Sequence, residues 1–243
     1  MPLNRRHILI ALPSLSLAAC ETLDPAILEG VLGSGMLSQA EAASGIRAAL
    51  NNGIGHAIST VGQDGGFLNN SRIKIPLPQF LQDIQNVLQP IGAGGLLNDL
   101  QAQLNHGAEK AAPVAKDIFV DAVSGLSIQD AISIVRGPDN AATSYLQEKT
   151  SARLTDLFSP IMGNALQQTG ALQLMDQLAG RLNSVPFAPS LGADAKTSLI
   201  QHGVDYGLKG VFTYIGDEEK AIRENPAKRT SEILRRVFGA ANL

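Results

Sequence analysis

Apolar side chains recur at helical spacing along most of this chain. The clearest stripe begins after Ser38 and consists of Ile46, Leu50, Ile54, Ile58 and Val61. Spacings of three and four residues place these side chains on one face, which predicts an amphipathic helix ending near Val61. Ser38 and Glu41 have the S-x-x-E spacing of a capping box, so we expect this helix to begin there.

The same period continues through the rest of the chain. In the helix after Pro113, we expect Val114, Ile118 and Ala122 to form the apolar stripe, with Phe119 and Val123 beside it. Together the segments predict an all-α fold, a single compact domain of about eight or nine helices. Other predicted helical segments are a short one from Phe80 to Leu88, Leu96 to Ala112, Ile128 to Val135, a longer one from Ala142 to Phe158, two more punctuated by Pro160, Gly170 and the Pro186 to Pro189 segment, one within Leu191 to Ile215, and a last one from Asn225 through Phe238.

One segment, residues 62–78, interrupts the helical pattern. Glycines and asparagines permit turns there, and Pro76 and Pro78 favour extended backbone at the residues before them. Because the segment also carries apolar residues, we expect a loop packed onto the helices, either as a structural lid or as the wall of a cleft for a lipid or another apolar ligand. The predicted ligand-binding residues are Asp64, Phe67, Leu68, Asn70, Arg72, Ile75, Pro76 and Leu77.

The N-terminus has the anatomy of an export signal. Arg5 and Arg6 precede an apolar run, and small residues precede Cys20. The sequence Leu17-Ala18-Ala19-Cys20 fits the lipobox of bacterial lipoproteins, in which the cysteine is acylated and becomes the new N-terminus. We therefore predict a signal peptide at residues 1–19, an acylated Cys20 with a tether to residue 36, and a helical domain at residues 37–243. Several acyl chains on one residue give stable anchoring.

The residues around this signal also bear on location. Glu21 follows Cys20, where inner-membrane lipoproteins typically carry aspartate, so we expect the periplasmic face of the outer membrane. The arginine pair is compatible with either twin-arginine or general secretion. Cys20 is the only cysteine, which excludes an intramolecular disulfide.

Composition supports the helical fold and limits the partners. Removing Arg5 and Arg6 with the signal changes the formal net charge from -3 to -5, which argues against nucleic acid. Aromatic residues make up only 4% of the chain and tryptophan is absent, which favours helices over β-sandwiches or barrels. We expect the membrane to be one partner, through acylated Cys20. A second partner is expected to be either a lipid or other apolar ligand, or an envelope protein.

No familiar catalytic motif occurs in the sequence, and we expect no catalytic residue, cofactor or metal site. His106 and Glu109 lie three residues apart, a spacing at which two side chains on one helix face can bind the same metal ion. Zinc sites, however, need three or four protein ligands. An exposed polar face is the simpler explanation for the pair. The run Asp217-Glu218-Glu219 is most simply solvated charge.

Several stretches resemble a family of bacterial envelope lipoproteins catalogued as domain of unknown function 4197. They include Asp64 to Asn70, Ile75 to Pro78, Pro113 to Asp121, Asp139 to Lys149 and Asn225 to Thr230. The likeness covers roughly residues 37–239. It implies the fold and the location but no activity, and it leaves polar positions of unknown role at Asp121, Tyr145, Lys149 and Arg229.

The resulting functional expectation is a lipid-anchored periplasmic domain, not an enzyme, that binds an apolar ligand or an envelope protein. The alternative is a hydrolase or cofactor protein with a site assembled from scattered residues. Its polar candidates are Asp64, Asp121, Tyr145, Lys149 and Arg229.

Overall fold

Helices form the architecture of the described chain, and no strand occurs among the described residues. The computed structural model describes residues 38–89, 92 and 94–225. Its helices are α1 (Gln39–Val61), α2 (Gln79–Asp83), α3 (Gln85–Leu88), α4 (Gly94–Ala111), α5 (Lys116–Ser124), α6 (Ile128–Arg136), α7 (Ala141–Gln168), α8 (Ala171–Asn183) and α9 (Ala195–Glu224). The predicted all-α class is confirmed.

Three long helices organise the packing. Helix α9 packs against both α1 and α7, and α7 in turn packs against α4. The shorter α5 and α6 lie against α1, while α8 covers α4. One continuous apolar core runs between these helices, and its largest fully buried side chains include Phe67, Phe119 and Phe158.

The first helix begins where the sequence predicts. Glu41 N–H donates to Ser38 Oγ at 3.2 Å, and Ser38 N–H donates to Glu41 Oε2 at 2.8 Å. The reciprocal bonds satisfy donors that an α-helix start leaves without intrahelical partners. The predicted capping box and the predicted end at Val61 are both confirmed.

The apolar face of α5 differs from the prediction. Phe119 and Val123 are fully buried, whereas Val114, expected on the main stripe, is 52% exposed. The cause is the 3₁₀ turn over Ala112–Ala115, which has about three residues per turn and so rotates the register that an unbroken α-helix would keep.

Helix α7 continues through Pro160, where the sequence predicted an interruption. An interior proline removes one backbone donor and costs about 3 kcal/mol. Phe158 and Met162 on either side are fully buried, so the packing of both halves against the core offsets that loss.

The glycines of α9 admit large side chains rather than a second backbone. An added Cβ at Gly203 would lie 3.2 Å from Met162 Cγ, and one at Gly207 would lie 3.4 Å from Phe158 Cε1. At Gly210 it would lie 2.5 Å from Phe67 Cε1. The space that these glycines leave is therefore occupied by the Met162, Phe158 and Phe67 side chains.

By length and hydropathy, no single described helix could cross a membrane, although the bent pair Gly94–Ser124 and Ile128–Arg136, at 103°, meets the same criteria. The predicted signal peptide, Cys20, the tether and the last helix with Arg229 lie outside the described residues. Those assignments stay predictions.

Candidate functional site

The segment predicted to pack as a loop, residues 62–78, does pack onto α4 and α9, and we call it the strap. Phe67, Ile73 and Ile75 are buried in the core. The expectation of a loop held down by its apolar residues is confirmed. Gly65 has a φ of +80°, the left-handed conformation that glycine adopts readily, and this lets the strap turn away from α1.

A buried carboxylate on α4 holds the first half of the strap. Glu109 is 3% exposed, and its Oε1 accepts from the N–H groups of Phe67 at 3.0 Å and Leu68 at 2.9 Å. Its Oε2 lies 2.8 Å from His106 Nδ1. The exposed face predicted for this pair is therefore wrong for Glu109, which is buried because it satisfies backbone donors that the strap cannot satisfy itself.

Asn105, one turn away on the same helix, holds the second half. Its Oδ1 accepts from Ile75 N–H at 2.8 Å, and its Nδ2 donates to Ile75 O at 3.0 Å. On α9, His202 Nε2 lies 2.7 Å from Pro76 O. The side-chain amide of Asn105 thus bonds both backbone groups of Ile75, as the backbone of a neighbouring β-strand would.

The outer edge of the strap is fastened to α9. Asn70 Nδ2 donates to the Tyr214 hydroxyl, and Arg72 pairs with both carboxylate oxygens of Asp217 at 2.7 and 3.1 Å. The hydrogen bond and the charge of Asp217 raise the pKa of the Arg72 guanidinium. Two of the predicted ligand-binding residues, Asn70 and Arg72, thus bind side chains of α9.

The eight predicted ligand-binding residues share this one strap but differ in exposure. Phe67 and Ile75 fill the core, Leu68, Asn70, Pro76 and Leu77 are half-buried, and Asp64 and Arg72 are exposed. Their ligand-binding role stays a prediction.

A polar cleft opens beside the start of the strap. It has a volume of about 320 Å³ and lies between the strap, α4 and the end of α7. Because a carboxylate only accepts, His106 Nδ1 donates to Glu109 and the neutral ring keeps Nε2 as an acceptor. The lining residues are Gly62, Asp64, Gln103, His106, Glu109, Lys110, Gln168 and Thr169.

The acidic run on α9, expected to be solvated, instead contacts three other parts of the molecule. Asp217 pairs with the strap through Arg72, and Glu218 lies 3.0 Å from His56 Nδ1 on α1. Glu219 is 7% exposed and accepts from the N–H groups of Ala142 and Thr143 at the start of α7. Solvated charge was therefore wrong for Glu219, because successive helical residues point about 100° apart and this one faces inward.

An apolar pocket lies between α1, α6 and α9. Its volume is about 20 Å³. It is therefore a nearly filled slot, with room for about one water molecule. Its walls are Ile46, Ala49, Leu50, Gly53, Ile134, Ala142, Ile215 and Ile222, with Glu219 and Arg223 at one side.

Two of the family-like polar positions come together and one lies elsewhere. On α7, Lys149 Nζ lies 5.8 Å from the centre of the Tyr145 ring, and the Tyr145 hydroxyl is 3.4 Å from Asp130 Oδ2. Partial burial raises the pKa of Tyr145, and the nearby Asp130 carboxylate adds to the shift. Asp121 forms an ion pair with Arg153 at 3.8 Å instead.

Metal binding has little support in the described chain. Among residues 38–89, 92 and 94–225, no group of three or more His, Cys, Asp or Glu side chains is arranged to hold a metal ion. His106 and Glu109 form a two-residue pair of which one carboxylate oxygen already binds the strap.

The helices, the polar anchors of the strap and the narrow apolar pocket define a class of protein, an all-α domain stabilised from inside by buried carboxylate and amide groups. The chain belongs to the family described as "Protein of unknown function (DUF4197)", which it matches over residues 36–239. No curated protein and no solved structure matches it.

Proposed function

We propose that this protein is a lipid-anchored, non-enzymatic domain of the bacterial envelope that binds the end of a lipid acyl chain. The apolar pocket between α1, α6 and α9 carries the proposal. Its walls are almost entirely aliphatic. As it stands it has room for about one water molecule, so an acyl chain end enters only by spreading these walls apart. Burying each methylene would contribute about 0.8 kcal/mol.

The polar groups beside the pocket support binding rather than chemistry. Glu219 accepts two backbone N–H groups of α7, and Arg223 donates to Ile134 O on α6 at 2.8 Å. Both side chains thus serve the ends of neighbouring helices. An occupant would therefore be recognised by apolar contact alone.

The anchor in this proposal is acylated Cys20, at the periplasmic face of the outer membrane. The lipobox Leu17-Ala18-Ala19-Cys20 and the Glu21 that follows it support that location. The test is the intact mass of the chain extracted from membranes. Loss of residues 1–19 with a gain of acyl mass on Cys20 supports the anchor, and a chain cut elsewhere without acyl groups refutes it.

The pocket is tested with cis-parinaric acid, a fluorescent fatty acid, on the Cys20→Ser chain. We expect saturable binding that Ala49→Leu weakens at least about tenfold, because the added methyl groups occupy the slot. Gly53→Ala, a milder filling change, should weaken it less. Ala152→Leu, on the exposed side of α7, is the matched control and should bind as the parent does. Equal binding by all variants refutes the pocket.

The polar cleft favours a second candidate, a hydrolase with His106 as general base. The observation for it is the His106 ring, held by buried Glu109 at the edge of a cleft of about 320 Å³. A panel of nitrophenyl esters and phosphates tests this candidate. Turnover that His106→Ala abolishes, while Lys116→Ala, at an exposed position outside the cleft, leaves it intact, supports the enzyme. Absence of turnover with every substrate removes its support.

A further inference from the structure

Phe187 lies in a tight turn between α8 and α9. Ala188 N–H donates to Val185 O at 3.2 Å, which places Pro186 and Phe187 at the two central positions. The φ of Phe187 is +63°. Proline followed by a residue with positive φ is the pattern of a type II turn, whose second central position ordinarily takes glycine or asparagine.

The position of Phe187 is unfavourable for folding in two ways. A non-glycine residue in the left-handed conformation costs about 1–2 kcal/mol. Its side chain is also fully exposed, at 106% of the reference area, so no burial offsets that cost. Strained backbone of this kind concentrates at functional sites, and an exposed aromatic ring suits contact with something outside the fold.

The segment that carries the ring has no charged residue of its own, although Asp83 and Asp194 line a pocket at its Pro189 side. No Asp, Glu, Lys or Arg occurs from residue 182 to residue 193. Pro186 and Pro189 are exposed beside Phe187, whereas Ala188 and Leu191 pack against the core and fix the base of the turn. The ring is therefore presented on a backbone with little freedom to withdraw it.

We propose that Phe187 inserts into the interface of a lipid bilayer and is a second membrane contact of this domain. The inference rests on the anchor proposed above. Residues 21–37 can span at most about 60 Å, so a domain held at Cys20 stays close to the bilayer and weak insertion suffices.

The shape of the turn favours a bilayer over a protein surface. A specific protein interface buries about 800 Å² on each partner, which needs a broad face. A single ring between two exposed prolines protrudes instead, and an uncharged tip can reach the boundary between headgroups and acyl chains, about 5–10 Å deep.

The chain itself supplies a clean test, since it has no tryptophan and one cysteine. Phe187→Trp in the chain beginning at Cys20 gives a single tryptophan, which is excited at a wavelength where the three tyrosines do not absorb. Coupling Cys20 to a maleimide lipid attaches this variant to vesicles of phosphatidylethanolamine and phosphatidylglycerol. We expect the tryptophan emission of this variant to shift to shorter wavelength and to fall about twofold with brominated acyl chains.

The matched control is Leu157→Trp, which places the fluorophore at another exposed apolar position, on α7. Its emission should stay that of a water-exposed tryptophan. Water-like emission from the Phe187→Trp variant overturns the proposal and points to a protein partner for the turn. Equal quenching at both positions also overturns it, because the surface then adsorbs without selectivity. The maleimide link attaches the domain to vesicles whether or not Cys20 is acylated in the cell. The intact-mass test of the natural anchor and the fluorescence test of Phe187 can therefore fail independently.

Discussion

Glu219 and Arg223 lie one turn apart on α9, and between them they serve the ends of two other helices. Glu219 accepts from the first N–H groups of α7, while Arg223 donates to Ile134 O near the end of α6. The two side chains also bind each other at 2.8 Å. The negative Glu219 lies at the positive, N-terminal end of the α7 dipole, and the positive Arg223 lies near the negative, C-terminal end of the α6 dipole. The pair therefore joins α6, α7 and α9 at one point.

Replacing Glu219 by alanine should lower the free energy of unfolding by about 3 kcal/mol. The change takes the Glu219 carboxylate away from Arg223, whose side chain is 10% exposed, and removes the acceptor at the start of α7. Urea denaturation measures the loss. Glu224→Ala, on the same helix but 60% exposed, should change the value by less than about 0.5 kcal/mol. Equal effects of the two variants would contradict the claim that Glu219 and Arg223 hold α6, α7 and α9 together.

Replacing Glu109 by glutamine should loosen the first half of the strap. The neutral amide is a weaker acceptor for the N–H groups of Phe67 and Leu68, and we expect a loss of about 1–3 kcal/mol. Hydrogen exchange at those two amides should become faster than at the amides of α7. Lys110→Ala, at the exposed neighbouring position, is the control. Unchanged exchange in the Glu109 variant would show that the carboxylate does not hold the strap.

Gly210→Ala and Gly180→Ala should have opposite effects on stability. At Gly210 the new methyl group would lie 2.5 Å from Phe67 Cε1, and the forced shift should cost about 1–3 kcal/mol. At Gly180, on the exposed side of α8, nothing lies within 4 Å, and alanine should add about 0.5–1 kcal/mol. Thermal unfolding compares them. A stabilising Gly210→Ala would mean that Phe67 is not packed against α9.

The Asp130 carboxylate should titrate below its ordinary pKa of about 3.9. The hydroxyl and the N–H of Ser127 bind the charged form and lower the pKa of Asp130. The capping contribution is thus complete above the unfolded-state pKa and is lost as pH falls through the lower folded-state pKa. Carboxyl carbon shifts in an NMR titration give the midpoint. Ser127→Ala should raise it and Ser133→Ala should not. A midpoint insensitive to Ser127 would refute the assignment.

The helices were predictable because their signals are local. Ser38 and Glu41 specify a helix start within four residues, and the stripe from Ile46 to Val61 needs only the helical period. The 3₁₀ turn at Ala112–Ala115 was missed because tertiary packing decides whether a turn tightens. Pro160 was misjudged for the same reason, since burial on both sides outweighs a local preference.

The polar interior was harder to predict. Glu109 and Glu219 carry the same side chain as exposed glutamates, and only their partners, 42 and 77 residues away in sequence, make burial favourable. A faint signal existed only for Glu219, which lies four residues after Ile215, where a continued apolar stripe would fall. The pocket between α1, α6 and α9 has no local signal at all, since four separate segments form it, Ala142 of α7 included.

The most direct test of acyl-chain binding is native mass spectrometry of the Cys20→Ser chain, expressed without residues 1–19 and purified without detergent. We predict a stoichiometric extra mass that organic solvent extracts as a lipid and that Ala49→Leu removes. A bare mass for the parent chain, still bare after incubation with envelope lipid extract, would contradict the account and direct the search toward protein partners.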